Sequence, residues 1–68
     1  MDRQHRLASR IRAFRKLKGY TQIELAEKLG ISVAVLGAVE RGTRQAEPHL
    51  LRKIAASLDV TDEELEGS

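Results

Sequence analysis

His5 and His49 are the first places to look for chemistry, because imidazole can move a proton near neutral pH. They fall in different expected elements, and neither has a partner at metal-ligand spacing. The chain has ten carboxylates, but six lie within residues 46–68, where helix capping and solubility account for them. There is no cysteine, which removes a disulfide staple and a thiolate zinc site. No Gly-rich phosphate loop or nucleophile motif is present. The chain is therefore expected to be a non-enzyme with no cofactor and no bound metal. What remains is recognition chemistry, carried by cations and side-chain amides.

The cations are unevenly spread. Residues 1–18 hold Arg3, Arg6, Arg10, Arg12, Arg15, Lys16 and Lys18 against Asp2 alone, a net of +6. Residues 19–45 balance to zero. Residues 46–68 hold Arg52 and Lys53 against Glu47, Asp59, Asp62, Glu63, Glu64 and Glu66, a net of −4. A basic front and an acidic tail suggest one surface facing a polyanion and one facing elsewhere. The same distribution also fits ordinary solvated helix faces, and charge alone does not choose.

These side chains need a scaffold, and its elements can be read in order. With 68 residues, 41% hydrophobic and 32% charged, the chain supports one small domain, residues 1–68. A domain of this size buries only about 60% of its unfolded surface. No apolar run approaches the ~20 residues of a membrane span, and MDRQHR is followed by no apolar signal core. The absence of cysteine fits a reducing cytoplasm.

Leu7, Ile11, Phe14 and Leu17 step by four, three and three, a helical stripe within residues 3–18. Arg10 and Arg12 lie off the stripe and are expected in solvent, while Arg15 lies nearer its edge. Three further starts share one device: an apolar residue, a hydroxyl N-cap, and an apolar residue at the fourth helical position. They are Tyr20-Thr21 before Leu25, Ile31-Ser32 before Leu36, and Val60-Thr61 before Leu65. This is the hydrophobic staple, and it sets helix starts near 22, 33 and 62. Thr21 with Glu24 adds a capping box. Gly19, Gly30 and Gly42 stand where helix exits need a left-handed residue. Pro48 suits the first turn of a fourth helix. Glu47 would be its N-cap, a weaker choice than Ser or Asp.

The expectation is an all-α, compact five-helix cluster with helices near 3–18, 22–29, 33–41, 48–58 and 62–66. Residues 67–68 are expected to fray. Its core should hold Leu7, Ile11, Phe14, Leu25, Ala26, Leu29, Leu36, Val39, Leu51, Ile54, Leu58 and Leu65. Leu50 and Ala55 are expected on the buried face of the fourth helix. The second and third helices, joined by a short Gly-containing link, make a helix-turn-helix unit.

On these residues the chain resembles the lambda-repressor and Cro-type helix-turn-helix domains, the XRE family. The matching pieces are Thr21-Gln22, Glu24-Leu25-Ala26, Leu29-Gly30-Ile31-Ser32 and Val39-Glu40-Arg41-Gly42. Ile11-Arg12 and Arg15 upstream, and Lys53-Ile54-Ala55 and Leu58 downstream, extend the likeness to roughly residues 8–65. The resemblance implies a sequence-specific DNA-binding transcriptional regulator of the cytoplasm, a repressor by type, that puts helix 33–41 in the major groove of double-stranded DNA. It implies that Gln22 holds a phosphate, where the bland reading is a neutral first-turn residue. It implies that Arg41, Thr43 and Arg44 lie along the DNA backbone, and that Arg15 and Glu40 form a structural ion pair. It also implies a homodimer through helix 5 and its flanks, Leu58 to Leu65; Ile23, which lies off the Leu25 and Leu29 face, is a second candidate surface from its position alone.

The base-reading positions map to Val33, Ala34, Gly37 and Ala38, with Val35 alongside. Relatives place polar side chains at several of these, whereas here only Ser32, at the N-cap, could form a side-chain hydrogen bond. Two readings follow. The apolar side chains could meet thymine methyls, with DNA shape and backbone contacts supplying further selectivity. Alternatively, residues 33–38 form an exposed apolar strip that docks a protein partner. An antitoxin-like repressor, with helix 5 or the tail also holding a partner, is a third possibility.

Overall fold

A computed structural model describes residues 3–67 and consists of five helices, with no strand among the described residues. They are α1 (Arg3–Leu17), α2 (Gln22–Leu29), α3 (Val33–Arg41), α4 (Pro48–Leu58) and α5 (Asp62–Glu66). Asp2 and Ser68 lie outside the described residues, and with them the Asp2 share of the N-terminal charge and half of the expected frayed end. Gly67 caps α5 in the left-handed conformation, and its N–H donates to the Glu63 carbonyl.

Local chemistry explains the helix ends. Thr21 and Thr61 each accept from the third helical N–H, while Glu24 and Glu64 accept from the threonine N–H in return. These reciprocal bonds satisfy two donors that a helix start leaves bare. The backbone N–H of Thr21 pulls the Glu24 carboxyl below its ordinary value of 4.5, helped by the threonine hydroxyl. Thr61 does the same to Glu64, with a smaller contribution from Lys18. Ser32 caps α3 by accepting from Val35 N–H at 3.1 Å. Glu47 makes no side-chain cap, so α4 starts on Pro48 alone.

Seven large side chains are fully enclosed: Ile11, Leu25, Leu29, Leu36, Ile54, Leu58 and Leu65. Ala8, Ala26, Val39, Ala46 and Ala55 complete the buried apolar set. Three expected core residues, Leu7, Phe14 and Leu51, are only partly buried and pack against this cluster from outside.

α1 accounts for most of that correction. Its inward face is Ala8, Ile11 and Arg15, not the 7–11–14–17 stripe. Leu17 is 76% exposed. The helix is rotated so that Arg15 points inward, and Phe14 and Leu17 turn outward as a consequence. α1 also ends at Leu17, one residue before the expected end, and Gly19 follows at φ 84°.

The charge separation seen along the chain is not preserved in space. α1 packs against α5, and Arg3 forms an ion pair with Glu66. Arg10 is not a free solvent side chain. Its guanidinium donates to the carbonyls of Glu64 and Leu65 at 2.6–3.2 Å and lies 5.5 Å over the Phe14 ring. A cation there also suits the negative end of α5. The basic front and acidic tail therefore partly neutralise one another.

Candidate nucleic-acid interface

The link between α2 and α3 is three residues, Gly30, Ile31 and Ser32. Gly30 adopts φ 74° and ψ 29°, and its N–H and that of Ile31 return to the last carbonyls of α2. Lys53 reaches across from α4 and donates to Leu29 O at 2.7 Å, a tie the sequence did not announce. Leu25, Ala26 and Leu29 of α2 pack with Leu36 and Val39 of α3 in the same cluster. The two helices are thus fixed relative to one another.

α3 is fixed to α1 as well. Arg15 Nε donates to Glu40 Oε2 at 2.7 Å, and Nη2 donates to Glu40 Oε1 at 3.1 Å. Both side chains are nearly enclosed, 9% and 2% exposed. The fork is completed by Arg15 Nη1 donating to Tyr20 O at 2.9 Å. At the end of α3, Gln4 Nε2 donates to Gly42 O at 2.6 Å. Gly42 sits at φ 78°, and a methyl group there would lie 2.8 Å from His5 Cδ2. The left-handed backbone conformation favours glycine at this position, and a methyl group there would also push the imidazole aside.

The sequence-nominated side chains surround α3. Ser32, Val33 and Ala34 are exposed, and Val35 and Ala38 are half-buried. Val33 presents 40% of its surface. Gln22 is the first residue of α2, and its Nε2 donates to Glu40 Oε1 at 3.1 Å. One of its two amide hydrogens is therefore taken, leaving the other for a ligand. Gln22 is thereby joined to the Arg15–Glu40 pair, a connection the separate assignments of these residues did not contain.

The loop after α3 is half anchored. Thr43 Oγ1 donates back to Ala38 O at 3.2 Å, so its hydroxyl helps close α3. Arg44 is exposed and, among the described residues, has no protein acceptor. Arg41 belongs to α3 itself, as its last residue.

One nominated position is not where sequence alone put it. Gly37 is buried, not an open reading position. Its nearest neighbours are Arg41 Nη1, 3.0 Å from where a methyl group at 37 would stand, and Gln22 Nε2, 3.9 Å away. The Arg41 side chain runs back one turn, as helical side chains do, and covers the glycine.

The dimer surface nominated by resemblance turns its two leucines inward and its polar residues outward. Leu58 and Leu65 are buried within the chain, and Thr61, Asp62, Glu63 and Glu64 face solvent. Ile23, by contrast, is 60% exposed. Among the described residues no cluster of three or more His, Cys, Asp or Glu side chains could hold a metal ion, and no helix is long and apolar enough to cross a membrane.

Comparison with known proteins places this geometry. The family model HTH_3, described as helix-turn-helix, matches residues 11–65. An uncharacterized HTH-type transcriptional regulator, YazB from Bacillus subtilis (strain 168), is 52% identical over 56 residues, which span 82% of this chain and 81% of YazB. The HTH-type transcriptional regulator SinR from the same organism is 42% identical over 57 residues, covering 81% of this chain but only 50% of SinR. A crystal structure of SinR, described as the master regulator for biofilm formation, in complex with DNA superposes with a TM-score of 0.81 at 38% identity, covering 87% of this chain and 95% of that one. The restriction-modification controller protein C.AhdI from Aeromonas hydrophila gives a TM-score of 0.87 at 34% identity, with 91% and 94% covered.

Proposed function

The chain belongs to the HTH_3 helix-turn-helix family, and from that premise we propose that it is a sequence-specific transcriptional regulator that binds double-stranded DNA through α3. The observation that carries this reading is α3 itself, an exposed helix start locked to α1 and α2 by the Arg15–Glu40–Gln22 network. A nine-residue helix is about 13 Å long, matched to a major groove about 12 Å wide. Its first turn, Ser32 to Val35, meets base edges, with Val33 and Ala34 against thymine methyls.

Positioning is assigned to the surroundings of α3. The Thr21 hydroxyl takes the N–H of Glu24 and the Thr21 carbonyl that of Leu25, leaving the earlier N–H groups of α2 and the Gln22 amide for a phosphate. Arg44 supplies a cation beside the same strand, and Thr43 holds the loop that carries it. The similarity to DNA-bound SinR supports this assignment. Repression is its regulatory sense, by steric occupation of a promoter, and the cytoplasm its location. It has no catalytic role.

A two-fold-symmetric operator bound by two chains is part of the same proposal. With a longest extent of 27 Å, two copies fit side by side at the ~34 Å separation of half-sites one helical turn apart. The pairing surface proposed is the α5 region with its flanks. Leu58 and Leu65 are already used inside the chain, so the solvent face of this region is the polar run Thr61 to Glu64, and Ile23, 60% exposed, is the second candidate surface.

Selection from a pool of random duplexes, followed by anisotropy at two salt concentrations, tests the proposal. Enrichment of a palindromic site with affinity falling steeply with salt is expected. Weak, unselective binding that disappears at physiological salt would overturn it. It would favour instead a protein that docks on the apolar surface of residues 33–38.

A further inference from the structure

The exposed face of α3 is nearly bare of hydrogen-bonding side chains, yet one long donor lies on it. Positions 34, 37, 38 and 41 share a helical face, and three of them carry Ala, Gly and Ala. The fourth is Arg41. Its guanidinium does not trail into the following loop. It lies back over Gly37, with Nη1 3.0 Å and Cζ 4.0 Å from the point a methyl group would occupy. Arg41 is exposed and, among the described residues, has no hydrogen bond or ion pair to the protein. Five N–H donors are therefore carried to the middle of the recognition face without an internal acceptor.

Resting on the DNA-binding reading above, we propose that Arg41 is the base-reading side chain of this regulator, taking a guanine in the major groove from a berth that Gly37 provides. Guanine offers two acceptors, O6 and N7, at the spacing of a guanidinium fork. Ala34 and Ala38 on either side are too small to hold the groove away. Gly37 has a positive role here. Any side chain at 37 competes with the guanidinium for the same space, and because the displaced atom is the far end of a flexible side chain, the helix itself need not move. The departure from polar reading positions at 33, 34, 37 and 38 is thus made up from position 41, one turn later. A phosphate is the competing ligand for the same cation, and it carries no sequence information.

The test uses the full chain and the duplex obtained by selection. Anisotropy is measured on that duplex and on a set replaced one base pair at a time, at several salt concentrations. The wild type should prefer guanine at one position per half-site by roughly 5- to 150-fold, the range of one bidentate contact. Arg41→Lys keeps the charge but loses the fork. It should flatten the preference at that position while leaving the other positions and the salt slope unchanged. Gly37→Ala, which favours the helix, should weaken the same preference by a smaller factor. The double variant should be no worse than Arg41→Lys alone, because both changes act on one contact. Circular dichroism melts establish that all variants are folded.

Equal weakening of Arg41→Lys across every duplex would assign the guanidinium to a phosphate and overturn the inference while leaving DNA binding intact. A wild type that selects no sequence would instead overturn the DNA-binding reading, and this inference with it.

Discussion

Replacing Glu40 with alanine strands Arg15. In the wild type, two of the Arg15 nitrogens end on the Glu40 carboxylate at 2.7 and 3.1 Å, within side chains only 9% and 2% exposed. Exposed ion pairs are worth about 0–1 kcal/mol, but this pair is out of solvent. Removing one partner of an enclosed pair leaves an uncompensated charge and costs about 3–5 kcal/mol. A chain of this length has roughly 3–10 kcal/mol of total stability, so the loss approaches the whole of it. At about 4–8 °C per kcal/mol, the melting temperature should fall by at least about 12 °C. Removing both charges is a different perturbation. Arg15→Met with Glu40→Leu fills the site with apolar atoms. The half-exposed Tyr20 and Gln22 can turn to water. That double variant should lie within about 2 kcal/mol of the wild type. Urea unfolding followed by far-ultraviolet circular dichroism measures the cycle. A Glu40→Ala variant that loses less than about 1 kcal/mol, with an unchanged denaturant slope, would refute a buried, coupled pair.

Three further outcomes follow from the same structure. Leu29→Ala, at a side chain 1% exposed, should cost about 2–5 kcal/mol in the same urea assay. Asp59 caps α4 at φ 58°, a conformation glycine adopts more easily, so Asp59→Gly should raise stability by a few tenths to about 1 kcal/mol. Glu24 and Glu64 have carboxyls held below 4.5 by threonine N–H groups, so they stabilise the fold above that pH, and the contribution is lost as pH falls through their lowered folded-state values. Glutamine at both positions keeps a capping acceptor without the titration, and should flatten the acid limb of a melting-temperature profile; an unaltered limb would exclude these two groups.

Local signals in the chain were sufficient for what is local in the fold. The three staples put α2, α3 and α5 at the starts later observed, because a hydroxyl cap acts on N–H groups two and three residues away. The face of α1 was misread for a nonlocal reason. Hydrophobic periodicity favours Phe14 and Leu17 over Arg15, and only Glu40, twenty-five positions later, makes an inward arginine tolerable. Arg10 bonding to the carbonyls of α5, and Lys53 to that of Leu29, are equally invisible to periodicity. At the interface, the residue types around α3 were legible, but the burial of Gly37 was not. It depends on the path taken by the Arg41 side chain, which a helical wheel does not specify.

The most direct measurement is a nuclear magnetic resonance titration of the isotope-labelled chain with the selected duplex, following each backbone amide. Binding through α3 gives the largest shifts at Gln22, Ser32, Val33, Ala34, Arg41, Thr43 and Arg44, with small ones on the outer face of α5. Shifts concentrated on α4 or α5, or none outside Leu17 and Ile23, would contradict DNA recognition by α3.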